Sequence, residues 1–149
     1  MASNEYAVIV AGGVGSRMYA SLPKQFIKLA GLPILMHTLR AFHNYSKQIN
    51  LIVVLPDSLI EKWEELKKQY NFKIIHQVVA GGESRFLSVK NGLHEIDNSQ
   101  AVVAIHDAVR PLVNEEVIAR SFITAREKGS AVAAVPLKDS IRKVEGEIN

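Results

Sequence analysis

The chain has 149 residues, of which 48% are apolar, with a formal net charge of +3 and no cysteine. This length supports one domain with a single large core, and the missing cysteines exclude disulfides and thiolate chemistry. No apolar run approaches the roughly 20 residues that cross a bilayer, and no basic start with an apolar segment opens the chain, so we expect a soluble, cytoplasmic protein. Mild basicity without a dense basic stripe favours phosphate-bearing small molecules over nucleic acid or a membrane.

Predicted strands alternate with predicted helices along the chain. Strands are predicted over 6–11, 51–55, 73–79, 101–105 and 131–135, and helices over 33–45, over 58–70, from about Ser84 and from a cap at Asn114. Strands separated by helices imply parallel pairing with right-handed crossovers. The sequence therefore predicts an α/β fold, with a Rossmann-like, doubly wound and mainly parallel sheet that carries helices on both faces. Such sheets bind ligands at the carboxyl ends of their strands.

The segment over 58–70 carries the clearest helical pattern. Ser58 and Glu61 have the spacing of a capping box, and Trp63 and Leu66 fall on one face. We therefore expect Trp63 to be a core residue and not part of a binding site.

A glycine-rich loop follows the first strand. Gly12, Gly13 and Gly15 lack the side chains that would keep backbone N–H groups away from a polyphosphate, and Arg17 adds a fixed positive charge. Lys24, which follows a proline, places a second cation nearby. The loop suits a nucleoside triphosphate, although a plain glycine-rich turn would show the same composition.

Two familiar nucleotide motifs fit this loop poorly. No Lys-Ser or Lys-Thr pair follows the glycines, which argues against a P-loop. A dinucleotide fingerprint would need a third glycine where Met18 stands, although Asp57 does follow the second strand, where such enzymes hold a ribose. A NAD-dependent oxidoreductase therefore remains a remote alternative.

Polar loops also follow the third and fourth predicted strands. Gly81 and Gly82 permit close backbone approach before the helix near Ser84, although a plain turn with a helix cap would look similar. Asp107 could hold a ribose hydroxyl or a hydrated Mg²⁺ while Arg110 meets phosphate. The alternative is a structural ion pair between these two side chains. The histidines show no metal-ligand spacing, and we assign no chemistry to them.

Three motifs together resemble a known enzyme family. They are A-G-G-x-G-S-R-M at 11–18 with P-K-Q at 23–25, G-G-x-x-R-x-x-S-V at 81–89, and H-D-A-x-R-P at 106–111. In this order they resemble the 2-C-methyl-D-erythritol 4-phosphate cytidylyltransferases of non-mevalonate isoprenoid biosynthesis. The first loop equally resembles the related ribitol-5-phosphate cytidylyltransferases, which remain an alternative.

The resemblance implies a role for each motif residue. The residues implied to line cytosine and ribose are Ala11, Gly12, Gly82, Glu83 and Ser88. Gly13 and Gly15 would cradle the phosphates, and Arg17 and Lys24 would act catalytically on the transferring phosphoryl group. Asp107 would place the ribose and a divalent cation such as Mg²⁺, directly or through water, and Arg110 and Ser140 would contact the polyol phosphate.

The resemblance also bears on the length of the chain. Family members continue through a projecting β-arm, which pairs two subunits, to a further basic segment. Residues 138–149 alternate like the first strand of that arm, after a catalytic domain over 1–137. We therefore expect a piece of a longer, homodimeric enzyme, or a nucleotide-binding domain without turnover if nothing follows. The implied reaction is an in-line displacement at the CTP α-phosphate, which releases pyrophosphate and needs no protein nucleophile.

Overall fold

The computed structural model describes residues 4–12 and 22–136. Its elements are β1 (Glu5–Val10), a 3-10 helix (Lys24–Phe26), β2 (Lys28–Leu29), β3 (Leu32–Pro33), α1 (Ile34–Tyr45), β4 (Asn50–Leu55), α2 (Asp57–Gln69), β5 (Gln77–Ala80), α3 (Arg85–His94), β6 (Val102–Asp107) and α4 (Glu115–Lys128). None of the helices in these two ranges is long and apolar enough to cross a membrane.

Four parallel strands form the central sheet in the order β5-β4-β1-β6. Val8 of β1 lies opposite Ile52 of β4 on one side and Ile105 of β6 on the other. Such a strand is covered on both faces and therefore reads as a continuous apolar run. The order places β1 and β4 at the centre, with helices on both faces, and the predicted fold class is confirmed.

Alternate side chains of the central strands feed two separate cores. Ile9 and Val53 belong to the larger core, which α1, α2 and α4 cover, and Trp63 lies fully buried within it. Val8 and Val54 point to the opposite face, where α3 packs. The prediction that Trp63 is a core residue is confirmed.

Two local predictions are wrong at element starts. Helix α2 begins at Asp57 with Pro56 at its N-cap and no side-chain cap, so Ser58 lies inside the first turn and forms no capping box with Glu61. Pro56 fixes the extended backbone with which the chain enters the helix, and it has no hydroxyl group that could cap the first turn. The third main-sheet strand begins at Gln77 and not at 73, because its hydrogen-bonded partner β4 faces only residues 77–80.

The strand predicted over 131–135 does not form in the described part of the chain. Val132 and Val135 are 90% and 85% exposed, and residues 131–136 have no paired neighbour there. An apolar, β-branched sequence forms a strand only where another strand offers an unpaired edge in reach. The predicted arm over 138–149 lies outside the described residues, and the domain boundary near 137 stays a prediction.

Candidate functional site

A cleft of about 500 Å³ opens at the carboxyl ends of the sheet strands. This size and position match the usual site of a nucleotide in a doubly wound fold. Its lining consists of Val10, Ala11, Gly12, Lys24, Gln25, Gly82, Glu83, Ser84, Arg85, Ser88, Asp107, Val109 and Arg110. Every sequence-predicted site residue that the structure describes lies in this lining.

Serine 88 lies between the two glycine-containing walls of the cleft. It is buried, and its Oγ accepts from the Gly82 N–H at 3.1 Å and donates to the Gly82 carbonyl at 3.3 Å. A Cβ on Gly12 would stand 3.1 Å from this oxygen, and one on Gly82 would overlap Leu87. Glycine is therefore needed at position 82, whereas a side chain at position 12 would fit only if the Ser88 hydroxyl moved by a few tenths of an ångström.

Helix α3 starts at the rim of the cleft, as predicted. Ser84 is its N-cap, and the Ser84 Oγ accepts from the Leu87 N–H at 3.1 Å. The first turn therefore directs its backbone N–H groups and the positive end of the helix dipole toward the cleft. The sequence left open whether this segment is only a turn with a helix cap. Ser84 does cap the helix, and it also lines the cleft.

Aspartate 107 lies between two arginines. Its Oδ1 accepts from Arg85 Nη2 at 3.1 Å, and its Oδ2 accepts from Arg110 Nε at 2.8 Å. The Arg110 hydrogen bond, followed by that of Arg85, lowers the pKa of the Asp107 carboxyl against the opposing effect of partial burial. The ion pair that the sequence offered as an alternative for Asp107 and Arg110 therefore forms, inside the cleft.

Two side-chain hydrogen bonds hold the backbone around Asp107 in place. The His106 Nε2–H donates to the Arg110 carbonyl at 3.0 Å, and the buried Thr38 hydroxyl donates to the Ala108 carbonyl at 2.7 Å. Burial is the main cause that lowers the pKa of His106, so the neutral ring is favoured. His106 thus helps to hold the loop in shape.

Glutamine 25 is a cleft residue that sequence reasoning missed. It is fully buried, and its Nε2 donates to the Ala11 carbonyl at the end of β1 at 3.1 Å. Its Oε1 is buried without a hydrogen-bond partner among the described residues. Together with Phe26, which stacks on Trp63, Gln25 anchors the short helix that carries Lys24. The only sequence signal was its place in the P-K-Q motif.

The described residues contain no cluster of three or more side chains that could hold a metal ion alone. This composition is compatible with Mg²⁺, which proteins usually bind through one or two carboxylates together with waters and substrate phosphates. Asp107 and Glu83 are the carboxylates of the cleft. Both Asp107 oxygens are engaged by arginines, so direct coordination would require one of these contacts to open.

A family profile described as IspD, 2-C-methyl-D-erythritol 4-phosphate cytidylyltransferase, matches residues 6–149. This chain belongs to the IspD family. The resemblance read from the three motifs is therefore confirmed.

Individual IspD relatives agree with the family match. The 2-C-methyl-D-erythritol 4-phosphate cytidylyltransferase of Azobacteroides pseudotrichonymphae is 46% identical over 145 residues, which are 97% of this chain and 65% of the relative. The enzyme of the same name from Bacteroides fragilis is 46% identical over 136 residues, which are 91% of this chain and 62% of the relative. The chain thus spans slightly less than two thirds of these relatives.

Solved structures share the IspD fold with this chain. The crystal structure of 4-diphosphocytidyl-2C-methyl-D-erythritol synthase from Anaerococcus prevotii is 26% identical, with a TM-score of 0.65, over 83% of this chain and 51% of that one. A second synthase structure, at 24% identity, supports the fold alone, with a TM-score of 0.70 over 95% of this chain and 63% of the other.

The predicted site residues divide into two groups. Those in the cleft are Ala11, Gly12, Lys24, Gly82, Glu83, Ser88, Asp107 and Arg110, whereas Gly13, Gly15, Arg17 and Ser140 lie outside the described residues. The roles of both groups stay predictions. Asp57, which the nicotinamide alternative needs, is the first residue of α2 and does not line the cleft.

Proposed function

We propose that the protein is a cytidylyltransferase that moves CMP from CTP to 2-C-methyl-D-erythritol 4-phosphate and releases pyrophosphate. The observation that carries the proposal is the convergence of the predicted site residues that the structure describes on one cleft at the carboxyl ends of the strands. Membership of the IspD family supports it further. The proposed location is the cytoplasm, where nucleoside triphosphates are available.

The walls of the cleft suit a pyrimidine nucleotide. Gly12 and Gly82 leave the backbone exposed on both sides, and Ser88 sets the distance between these walls. Backbone N–H and C=O groups can form hydrogen bonds with the edge of a base, which gives selectivity without a charged side chain. We propose that Ala11 and Glu83 complete the contacts to cytosine and ribose.

The charges of the cleft suit a triphosphate. Lys24, Arg85 and Arg110 face Glu83 and Asp107, which leaves one net positive charge among the described residues of the lining. Lys24 forms no ion pair in the described part of the chain, so its ammonium group is available to phosphate oxygens. In the proposed site Gly13 and Gly15 cradle the phosphates, and Arg17 adds a second catalytic cation.

The proposed reaction is an in-line displacement at the α-phosphorus of CTP. A phosphate oxygen of the acceptor forms the new bond to this phosphorus, and the bond to the bridging oxygen of pyrophosphate breaks. The acceptor phosphate is already anionic near neutral pH, so no protein nucleophile is required. Lys24 and Arg17 stabilise the charge on the transferring phosphoryl group. A bound Mg²⁺ would neutralise charge on the pyrophosphate that leaves.

The acceptor side of the cleft is proposed to involve Arg110. Its Nε contacts Asp107, whereas its two Nη groups have no partner in the described part of the chain. A guanidinium group with free N–H donors is well suited to a phosphate monoester. We also propose that Ser140 contacts the acceptor from a second subunit, through an arm that forms a homodimer.

The proposal is tested by measuring pyrophosphate release from the complete protein with Mg²⁺ and CTP. The candidate acceptors are 2-C-methyl-D-erythritol 4-phosphate and ribitol 5-phosphate, and a reaction without acceptor is the control. Turnover that depends on the erythritol phosphate is the expected result. Preference for ribitol phosphate would move the enzyme to the related family, and CTP binding without turnover would leave a nucleotide-binding protein.

A further inference from the structure

Arginine 85 of the G-G-x-x-R motif lines the cleft but has no specific role in the proposed reaction. It is the first residue of α3, and its guanidinium reaches across the cleft to Asp107 at the end of β6. Arg85 Nη2 lies 3.1 Å and Arg85 Nε lies 3.4 Å from Asp107 Oδ1. The contact therefore joins two elements that are 22 residues apart in sequence.

Stability does not explain an arginine at this position. The Arg85 and Asp107 side chains are 63% and 32% exposed, and exposed ion pairs contribute little to stability because water and salt screen them. A cation in the first turn of a helix also opposes the helix dipole, which is slightly destabilising. These two effects roughly cancel, so the free energy of unfolding should hardly depend on Arg85.

The position of Arg85 limits how Arg110 can contact Asp107. Because Arg85 occupies Oδ1, Arg110 contacts the carboxylate through Nε on Oδ2 alone. Without Arg85, a rotation of the carboxylate or of Arg110 would allow a bidentate pair through Nε and an Nη group, which is the preferred geometry of arginine with a carboxylate. That pair would withdraw an Nη group from the cleft.

We propose that Arg85 is a positioning residue that holds Asp107 Oδ1 and thereby keeps the Nη groups of Arg110 free for the phosphate of the acceptor. This inference rests on the proposed function, because it concerns the acceptor that the enzyme would use. Arg85 acts through Asp107 and Arg110, without touching the acceptor. Its loss should therefore weaken acceptor binding more than nucleotide binding.

The test compares Arg85→Gln, Arg85→Lys and wild type in the complete enzyme. We expect R85Q to raise the KM for the acceptor about tenfold, the lower end of the effect of partners that orient a binding group. The affinity for CTP with Mg²⁺, measured by calorimetry, should change less than about threefold. R85K can still contact Oδ1 and should recover most of the loss. Arg120→Gln, an exposed arginine on α4, is the matched control and should behave like wild type.

The outcomes separate this inference from the proposed function. An unchanged KM in R85Q, or a fall in CTP affinity as large as the rise in KM, would overturn the positioning role while leaving wild-type turnover intact. An R85K variant as poor as R85Q would also overturn it. A wild-type enzyme without CTP-dependent turnover would contradict the proposed function first and this inference with it. Equal thermal midpoints of the variants would show that folding is not the cause of a difference.

Discussion

Lysine 24 differs from the other cations in the described part of the cleft. Arg85 and Arg110 both pair with Asp107, whereas Lys24 forms no ion pair in the part of the chain that the structure describes. Its backbone is nevertheless held in place, because the next residue, Gln25, is buried and bonded to the end of β1. An unpaired ammonium group on an anchored backbone can stabilise charge that develops in a transition state without first breaking another contact.

Replacement of Lys24 by methionine should therefore lower kcat about 100-fold or more, the loss typical of one transition-state donor, with little change in thermal stability. The measurement is pyrophosphate release at saturating CTP and acceptor. Lys47→Met is the matched control, since this exposed lysine precedes β4 at the opposite edge of the sheet. Near-normal turnover of K24M would exclude the catalytic role.

At the scale of elements, α3 is held unusually close to the sheet. A Cβ on Gly92 would stand 2.6 Å from Val8 Cγ1 and 2.9 Å from Val54 Cγ2. Valine is branched at Cβ and fixed by its rotamer, so neither side chain can move away at low cost. This close approach determines where Ser84, Arg85 and Ser88 of the same helix region stand relative to the strand ends.

Gly92→Ala should consequently destabilise the protein. Overpacking of a core costs about 1–3 kcal/mol, and at these distances we expect about 3 kcal/mol, which exceeds the roughly 1 kcal/mol that alanine gains in helix propensity. Urea unfolding of the variant measures the net loss. The exposed Lys90→Ala on the same helix should not lower stability, and an equally stable G92A would contradict the packing argument.

A hydrogen bond between rings joins α2 to the segment before β5. Trp63 Nε1 donates to His76 Nε2 at 3.0 Å, and His76 Nδ1 donates to the Ile74 carbonyl at 2.8 Å. Only the neutral ring can make both contacts. Burial is the main cause that lowers the pKa of His76, Lys67 on α2 lowers it further, and the Ile74 hydrogen bond and Glu64 act in the opposite direction.

His76 should make stability depend on pH below about 6.5, the ordinary histidine pKa. There the unfolded chain binds a proton that the folded ring resists, so stability falls as the pH drops from 6.5 toward the lower folded pKa. His76→Gln should remove part of this fall between pH 7 and 5. Unfolding can be followed by the fluorescence of Trp63, the single tryptophan.

The exposed His94→Gln serves as the control for this measurement. It replaces a histidine on the opposite face of the sheet from Trp63, and the fall in stability that H76Q removes should persist in it. Parallel profiles for wild type and H76Q would show that the ring titrates equally in the folded and unfolded states.

At the scale of the whole molecule, burial declines from the centre of the sheet toward β6. Ile9 and Val53 of the central strands are fully buried, whereas Ile105 of β6 is 46% exposed and Val132 is 90% exposed. The outer edge of β6 has no strand partner among the described residues. Edge amides without a partner exchange with water more readily than those between two strands.

Hydrogen exchange of the 149-residue chain should reproduce this gradient. Amides of β1 and β4 should exchange only through global unfolding, and those over 131–136 should exchange almost as in an open chain. Protection over 131–135 equal to that of β4 would restore the strand that the sequence predicts there. Amide exchange followed by NMR or mass spectrometry provides the comparison.

The order and type of the main elements can be predicted from the amino-acid sequence, because apolar runs and helical periodicity are local properties. It also located the polar loops at the strand ends, and the three motifs were sufficient for the family. The predicted site residues that the structure describes, from Ala11 to Arg110, meet in one cleft because parallel strands direct their carboxyl ends to the same edge.

Contacts between residues that are far apart in the chain could be assigned only from the folded structure. The pairing of Arg85 with Asp107, the burial of Gln25 and the fit of Gly92 against Val8 depend on how α3 and the short helix dock on the sheet. The exposed state of 131–135 likewise depends on whether a partner strand is present. Such contacts join residues far apart in the chain, and no local pattern of residue types encodes them.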